Sequence, residues 1–337
     1  MSVNVAIAGA TGAVGEALIE ILEQREFSVG ELHLLASERS EGKTVRTLGR
    51  NLRVQRLDQF DFHDTQIGLF SAGGAVSAEF APKAAAAGCV VIDNTSRFRR
   101  DDDVPLIVPE VNAHALGGFR ERRIIANPNC STIQMLVALA PIHNAVGIER
   151  INVATYQAVS GAGTSGIREL AGQTAELLNG RPIEPQVMAA QIAFNAIPQI
   201  GDFEANGYTN EEMKMVWETQ KILEDDSILV NPTCVRIPVF FGHSEAVHIE
   251  TREPITAAAA QALLDDAAGI VVVDERVPGG YPTAVGEAVG EDPVYVGRIR
   301  EDISHPRGLN MWVVSDNVRK GAALNSIQIA ELLLKEL

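Results

Sequence analysis

Cys130 lies in Asn127-Pro128-Asn129-Cys130-Ser131-Thr132-Ile133-Gln134, a run of small polar residues between an apolar stretch and a helical pattern. Pro128 can continue neither a ladder nor a helix, so a strand through Ile124-Ile125-Ala126 must stop there. Asn129 or Ser131 can then cap a helix whose apolar positions are Ile133, Met135, Leu136 and Leu139. The cysteine falls at or beside that helix's N-terminus, where unpaired N–H groups and the dipole favour a thiolate. Those N–H groups can also stabilise the oxyanion formed when sulfur attacks a carbonyl. On this segment alone, a small buried cysteine at a strand–helix junction is an equal reading.

A second cluster runs from Val230 to Ser244. It places Arg236 and His243 on either side of an apolar segment, bracketing one strand or its two ends. Arg236 offers a planar fork suited to a carboxylate, with a surface or interface salt bridge as the plainer alternative. His243 follows a glycine and precedes Ser244, which suits an acid–base group better than a lone structural histidine.

The elements that must position these residues begin with a buried strand, Val3 to Ala8, running into Gly9-Ala10-Thr11-Gly12-Ala13-Val14-Gly15. Glycines at 9, 12 and 15, between a first strand and a first helix, fit a dinucleotide turn. They allow a tight bend, close backbone approach to a pyrophosphate and a helix N-terminus aimed at the anion. After a second strand, Glu31 to Ala36, comes Ser37-Glu38-Arg39-Ser40. An arginine flanked by hydroxyls suits a 2′-phosphate, so NADP is favoured over NAD; Glu38 dissents, and an ordinary solvated turn is the alternative. Strands at Ile67–Ser71 and Val90–Asp93 around an alanine-rich helix (Ala75–Ala87) imply a parallel, doubly wound sheet. Ser71-Ala72-Gly73-Gly74 should border the cofactor, and Cys89 reads as core.

Beyond Cys130 the pattern changes to longer strands: Ile151–Tyr156, Ile228–Ile237, Ala246–Glu250, Tyr295–Ile299 and Leu309–Val314. Helices are expected at Ile167–Leu178, Asn210–Leu223 and Ala257–Asp266, the profile of an α+β domain on one mixed sheet. Residues Asn317 to Leu337 read as an amphipathic helix returning to the first domain. Phe194, Phe203, Met213, Met215 and Trp217 could serve either a subunit contact or the core.

The 337 residues suffice for two domains. A net charge of −16 argues against nucleic acid and against an anionic membrane surface, and obliges any anionic substrate to be captured by locally placed cations. Three cysteines (Cys89, Cys130, Cys234) make no disulfide framework, and no metal site is read. With no leader pattern and no long apolar run, the expected location is the cytoplasm.

From Gly9–Gly15 through the Cys130 segment, the Cys234-Val235-Arg236…Gly242-His243-Ser244 run and Asp316-Asn317-Val318-Arg319-Lys320-Gly321, the whole chain resembles the aspartate-semialdehyde dehydrogenases. The resemblance implies a Rossmann-type NADP-binding domain (1–127 with 317–337) and an α+β catalytic and dimerisation domain with a mixed sheet (128–316). It implies Cys130 as nucleophile, Gln157 orienting the intermediate, His243 as acid–base and Arg236 on the substrate carboxylate. Glu211 would hold the substrate amino group, with Asn129 beside the substrate. Arg99 and Lys214 would bind phosphate, Arg97 being the near rival of Arg99. Cofactor contacts would come from Gly9, Thr11, Gly12, Ala13, Val14, Gly15, Ser37, Arg39, Ser40, Ser160, Gly161 and Asn317. The implied reaction interconverts L-4-aspartyl phosphate and L-aspartate 4-semialdehyde with NADPH through a cysteine thioester, in lysine, threonine, methionine and isoleucine biosynthesis, by a homodimer. N-acetyl-γ-glutamyl-phosphate reductases share the chemistry but usually carry Tyr-Pro-Thr after the cysteine, where this chain has Ser131-Thr132-Ile133. A non-catalytic NADP-binding paralogue is the other alternative.

Overall fold

The computed structural model describes residues 2–336, which fall into two compact units. The first runs to Pro128 and resumes at Ala322; the second is Asn129–Gly321.

In the first unit, β1 (Val3–Ala8), α1 (Ala13–Gln24) and β2 (Val29–Ala36) form the opening βαβ step. A small hairpin, β3 (Thr44–Thr47) with β4 (Arg50–Arg53), and the two-residue β5 (Gln55–Arg56) follow. Then come β6 (Ile67–Phe70), α2 (Gly74–Ala86), β7 (Val90–Asp93), the single-turn helices α3 (Pro109–Asn112) and α4 (Phe119–Arg122), and β8 (Ile124–Ala126). The sheet order is β5-β2-β1-β6-β7-β8, every pair parallel. Val5, Ile7, Ile67, Leu69, Val90 and Ile92 are fully buried, as expected for strands covered on both faces. The order reverses between β2 and β6 beside β1, the switch point at which doubly wound sheets bind ligands beyond their carboxyl ends.

The second unit opens with α5 (Cys130–Val146) and β9 (Ile148–Gln157), then α6 (Gly163–Leu178), α7 (Asn210–Leu223), β10 (Leu229–Arg236) and β11 (His243–Thr251). It continues through α8 (Ala257–Asp265), β12 (Ile270–Val272), β13 (Val294–Glu301) and β14 (Gly308–Ser315). Its sheet, β10-β9-β11-β14-β13-β12, is mixed: β10 with β9 and β12 with β13 are parallel, the rest antiparallel. Side chains alternate across a strand, so one face carries Val153, Val247, Ile249 and Met311 into a core beneath α5, while Tyr156, Ala246, His248 and Trp312 stay partly exposed on the other.

Two expectations need correcting. The last helix, α9 (Leu324–Leu333), is entered through a π-helical turn, Arg319–Ala323, and does not begin at Asn317. Asp316 caps that turn, its carboxylate accepting from the N–H groups of Val318 and Arg319. Leu337 lies outside the described residues. α9 is also buried on more than one face, since Leu324, Ile327, Ile329, Ala330 and Leu333 join the first unit's core with Leu18, Ile21 and Leu22. Asn325 donates to Asn127 at 2.7 Å and to the Ile107 carbonyl at 3.0 Å, fixing the helix to the end of β8. The second correction concerns Arg236 and His243, which do not bracket one strand. They occupy facing ends of β10 and β11, the two strands on either side of β9.

Among the apolar residues left between core and contact, Met215 is fully buried, whereas Phe194 and Phe203 are exposed. Cys89 is core, its thiol pushed up to about 12 by burial.

Candidate active site

Asn129, not Ser131, caps α5: its side-chain oxygen accepts from Ser131 N at 3.0 Å and Thr132 N at 3.3 Å. Cys130 is therefore the first residue of the helix, partly exposed. The cap is itself held by two acids of α7. Asn129 N donates to Glu218 at 2.6 Å, and the Asn129 amide donates to Glu211 at 2.8 Å.

Strand pairing builds the rest of the site as a row. Arg236 on β10 pairs with Gln157 on β9, Tyr156 with Ser244 on β11, and His243 with Ser315 on β14. Arg236, Gln157 and His243 thus stand side by side on the face that α5 covers, and all are buried. Gln157 donates to Glu211 at 3.2 Å, accepts from Thr155 at 3.1 Å, and its amide nitrogen lies 3.4 Å from His243 Nε2. Ala158 N donates to His243 Nδ1 at 3.1 Å, which leaves the neutral ring's own proton on Nε2. Burial, then the neighbouring Arg236 charge, pulls the imidazole down to about 3, so it is neutral near pH 7. Arg236 donates to the Ala158 carbonyl at 2.6 Å; burial opposes its charge, while Glu211 and the Cys130 sulfur support it.

Glu211 is the anion at the centre of this group. Burial alone would push its carboxyl up, but the Lys214 ammonium at 2.8 Å and hydrogen bonds from Asn129 and Gln157 hold it at about 2. Gly161 closes the other side: a Cβ there would stand 2.9 Å from Arg236 Nη1 and 3.6 Å from His243 Nε2, so only glycine leaves the pair undisturbed. Ser160 and Asn317 are joined through their side chains, and Asn317 also accepts from Gly242 N at 2.9 Å, the residue before His243.

In the first unit, a cavity of about 610 Å³ opens at the carboxyl ends of β1 and β2 and is lined by Gly9, Thr11, Gly12, Ser37, Arg39 and Ser71, among others. Gly15 is required for packing, because a Cβ there would sit 2.1 Å from the Gly9 carbonyl oxygen. Ala13 and Val14 open α1 behind the N-cap Gly12, and Ser40 is buried against Thr11 at 3.3 Å. Arg99 is buried and donates to the Asn94 carbonyl at 2.9 Å. Arg97 is more exposed and faces Asp101 at 3.5 Å, while Arg122 binds Asp101 and Asp103.

Sequence reasoning missed Glu218, Thr155 and Arg56. Glu218 is one helical repeat beyond Glu211, and Thr155 is two residues before Gln157 on the same strand face; both spacings were readable. Arg56, which lines the cavity and binds Asp58 at 2.7 Å and Glu38 at 3.2 Å, comes from an irregular segment with no pattern to find it.

The family model for the semialdehyde dehydrogenase NAD-binding domain matches residues 4–118, and that for the semialdehyde dehydrogenase dimerisation domain matches 139–320. Aspartate-semialdehyde dehydrogenase 2 of Vibrio cholerae is 65% identical over 334 residues, covering 99% of this chain and 98% of the relative. The chain belongs to the aspartate-semialdehyde dehydrogenase family. The Bacillus subtilis member is 50% identical, with 98% of this chain and 97% of the relative covered. The crystal structure of the Vibrio cholerae enzyme II complexed with ASA superposes with a TM-score of 0.98 at 64% identity, covering 99% of each chain. A Candida albicans member solved with NADP gives 0.78 at 26% identity, again covering 99% of each chain. Membership makes this chain an oxidoreductase with a nicotinamide-dinucleotide domain and a dimerisation domain. Among the described residues, no helix is long and apolar enough to cross a membrane.

Proposed function

We propose that this protein interconverts L-4-aspartyl phosphate and L-aspartate 4-semialdehyde, with NADPH as reductant, through a thioester on Cys130. The observation that carries the proposal is the buried row Arg236–Gln157–His243 at the first turn of α5, with Cys130 near enough to act on the Arg236 charge. Residue roles follow the family resemblance position by position, and the burial and hydrogen bonds of Gln157, Glu211, Arg236 and His243 support theirs.

In the oxidising direction the Cys130 thiolate adds to the aldehyde carbon, favoured by the N-terminus of α5. The resulting oxyanion faces neutral His243, whose Nε2–H donates to it and takes part in its proton transfer. Gln157, anchored by Glu211 and Thr155, orients the adduct. Arg236 grips the substrate carboxylate in bidentate fashion, and Glu211, kept ionised by Lys214, receives the substrate ammonium with Asn129 alongside. NADP supplies the hydride acceptor when bound, and loss of hydride turns the adduct into a thioester. Phosphate held by Arg99 and Lys214 then displaces the sulfur, a good leaving group as well as a good nucleophile.

The first unit's cavity fits that cofactor. Gly9 and Gly15 let backbone approach backbone, and the N-terminus of α1 is aimed at an anion. Arg39, with Ser37, Ser40 and Arg56 nearby, favours a 2′-phosphate and hence NADP over NAD. Ser160, Gly161 and Asn317 are proposed for the nicotinamide end. A homodimer through the half-exposed face of the mixed sheet (Tyr156, Ala246, His248, Trp312), a cytoplasmic location and a role in lysine, threonine, methionine and isoleucine synthesis complete the proposal.

Intact-mass measurement during turnover tests the core of this reading. An aspartyl adduct on Cys130, released by phosphate, is the expected result. Turnover with no such adduct would overturn it.

A further inference from the structure

Gly321 lies directly against Cys130. A Cβ built on it would stand 2.7 Å from the Cys130 Cβ and 3.2 Å from the Cys130 Cα, so any side chain at 321 must displace that residue or its own turn. The φ of Gly321 is outside the left-handed region, so it is this contact and not the local backbone that calls for glycine. Cys130 and Gly321 stand near opposite ends of the second unit's chain, and the π-helical turn Arg319–Ala323 brings them together. Gly321 N closes that turn on the Asp316 carbonyl at 3.2 Å, a wide i→i+5 bond of the kind found often at functional sites. The turn is held firmly. Asp316 accepts from Val318 N at 2.8 Å, Arg319 N at 3.0 Å and Gly290 N at 2.9 Å. Arg319 is paired with Asp292 at 2.6 Å, and Asn317 accepts from Gly242 N at 2.9 Å. The residue before Cys130 is held as firmly, Asn129 being bonded to both Glu211 and Glu218.

We propose that Gly321 is a positioning residue: its bare backbone seats Cys130 and fixes the sulfur relative to Asn317, the residue proposed for the nicotinamide end. The Asn317 Cβ is the next atom out from the same point, 3.7 Å from where a Gly321 Cβ would be, so one turn carries Asn317 and touches the nucleophile's own carbon. The reaction needs such a common reference, because the hydride passes between the nicotinamide and a carbon bonded to the sulfur. The contact is also stiff. Its nearest atoms are a main-chain Cα and the Cβ fixed to it, not the far end of a flexible side chain, and both walls are tied by the bonds just described. Overpacking of this kind is relieved only by moving backbone. Displacing a reacting atom by about 1 Å can cost on the order of 10²-fold in rate. Gly321 itself touches no substrate in this scheme and acts only through Cys130.

This role rests on Cys130 being the nucleophile, but the contact can be tested without it, by a double-mutant cycle on thermal unfolding of the whole protein. Gly321→Ala should lower the unfolding midpoint by a few degrees, although alanine for glycine in a helical turn ordinarily stabilises. In a Cys130→Gly background the same change should cost little, because the Cβ it strikes is gone. Equal losses in the two backgrounds, or none in either, would remove the contact. The positioning role is read from kinetics. Gly321→Ala should lower kcat and the rate of Cys130 alkylation by iodoacetamide about ten- to a hundredfold, with KM for the semialdehyde and NADPH affinity within about twofold of wild type. Alkylation should remain a single phase of full amplitude. A wild-type kcat and alkylation rate, a reduced amplitude at the wild-type rate, or KM and NADPH affinity lost in step with kcat each overturns the role. Absence of a Cys130 adduct in the wild type defeats the proposed mechanism instead, and the cycle still decides the contact. If Gly321→Ala does not fold, recovery of folding by the added Cys130→Gly supports the contact, and continued failure overturns it. Asp316→Asn, which turns a donor toward Gly290 N and loosens the turn, then takes its place in the kinetic test. A severalfold loss in kcat and alkylation rate at unchanged KM is expected, and wild-type values overturn the role.

Discussion

The cavity proposed for the cofactor in the first unit is lined by glycines, apolar side chains such as Leu57, Val76 and Phe80, and exposed charges, whereas the row proposed for catalysis in the second is made of buried side chains that hold one another. Around the cavity, Arg56 is shared between Asp58 and Glu38, and solvent screens these pairs. In the row, Glu211 alone is bound by Lys214, Asn129 and Gln157, and Gln157 in turn meets Thr155 and His243. A cavity lined by glycine turns, apolar side chains and screened charge should yield small, selective responses to substitution. A buried network should yield large ones, because each lost partner strands another polar group.

The sharpest contrast is Cys130→Ala. It should remove phosphate-dependent NADP reduction altogether while NADPH still binds, read by nicotinamide absorbance and by titration calorimetry; turnover by this variant would collapse the distinction. Next comes His243→Gln, expected to lower kcat by roughly 10²–10⁴, the usual worth of positioned proton transfer. The same variant reports on stability. His243 is held at about 3 in the fold against an ordinary 6.5, so between these values the unfolded chain binds more protons and stability falls as pH falls. Glu211, at about 2 against 4.5, continues that loss at lower pH with the same sign. Urea titrations at stepped pH should find the loss between 6.5 and 3 diminished in His243→Gln and the lower part unchanged.

Gly161→Ala should have an intermediate effect. Its new Cβ would press on Arg236 Nη1 from 2.9 Å, raising KM for the semialdehyde about tenfold or more, a larger change than in NADPH affinity, because Gly161 is one of many proposed cofactor contacts. Equal losses for both ligands would show that the two regions are not independent in the way their construction suggests. The smallest effect belongs to Arg39→Ala, which should weaken NADPH by about 1 kcal/mol, severalfold, because this guanidinium is exposed and screened by solvent, and NADH hardly at all. An equal loss for the two nucleotides would place the 2′-phosphate elsewhere.

The contrast also explains which parts could be read from sequence. The first unit was legible because buried parallel strands print as short apolar runs, and Gly9, Gly12 and Gly15 print the turn that follows β1. α5 was legible because Pro128 and a capping residue mark its start, although which residue caps it was settled only by the bonds from Ser131 N and Thr132 N to Asn129. Arg236 and His243 were visible as chemistry but not as neighbours of one strand, since β9, which separates them, lies some eighty residues earlier. The support behind the site was hidden for a related reason. Glu218 and Thr155 are ordinary residues on their own elements, and they acquire meaning only when the fold brings them to bond Asn129 and Gln157.

The return of the chain into its opening unit carries a consequence for biogenesis. Leu324, Ile327 and Leu333 complete the core around Leu18 and Leu22, and Asn325 locks onto Asn127. The nucleotide-binding half is therefore the first to be synthesised and the last to be finished. Throughout translation of nearly two hundred intervening residues it must wait, with an uncovered apolar flank, for α9 to leave the ribosome.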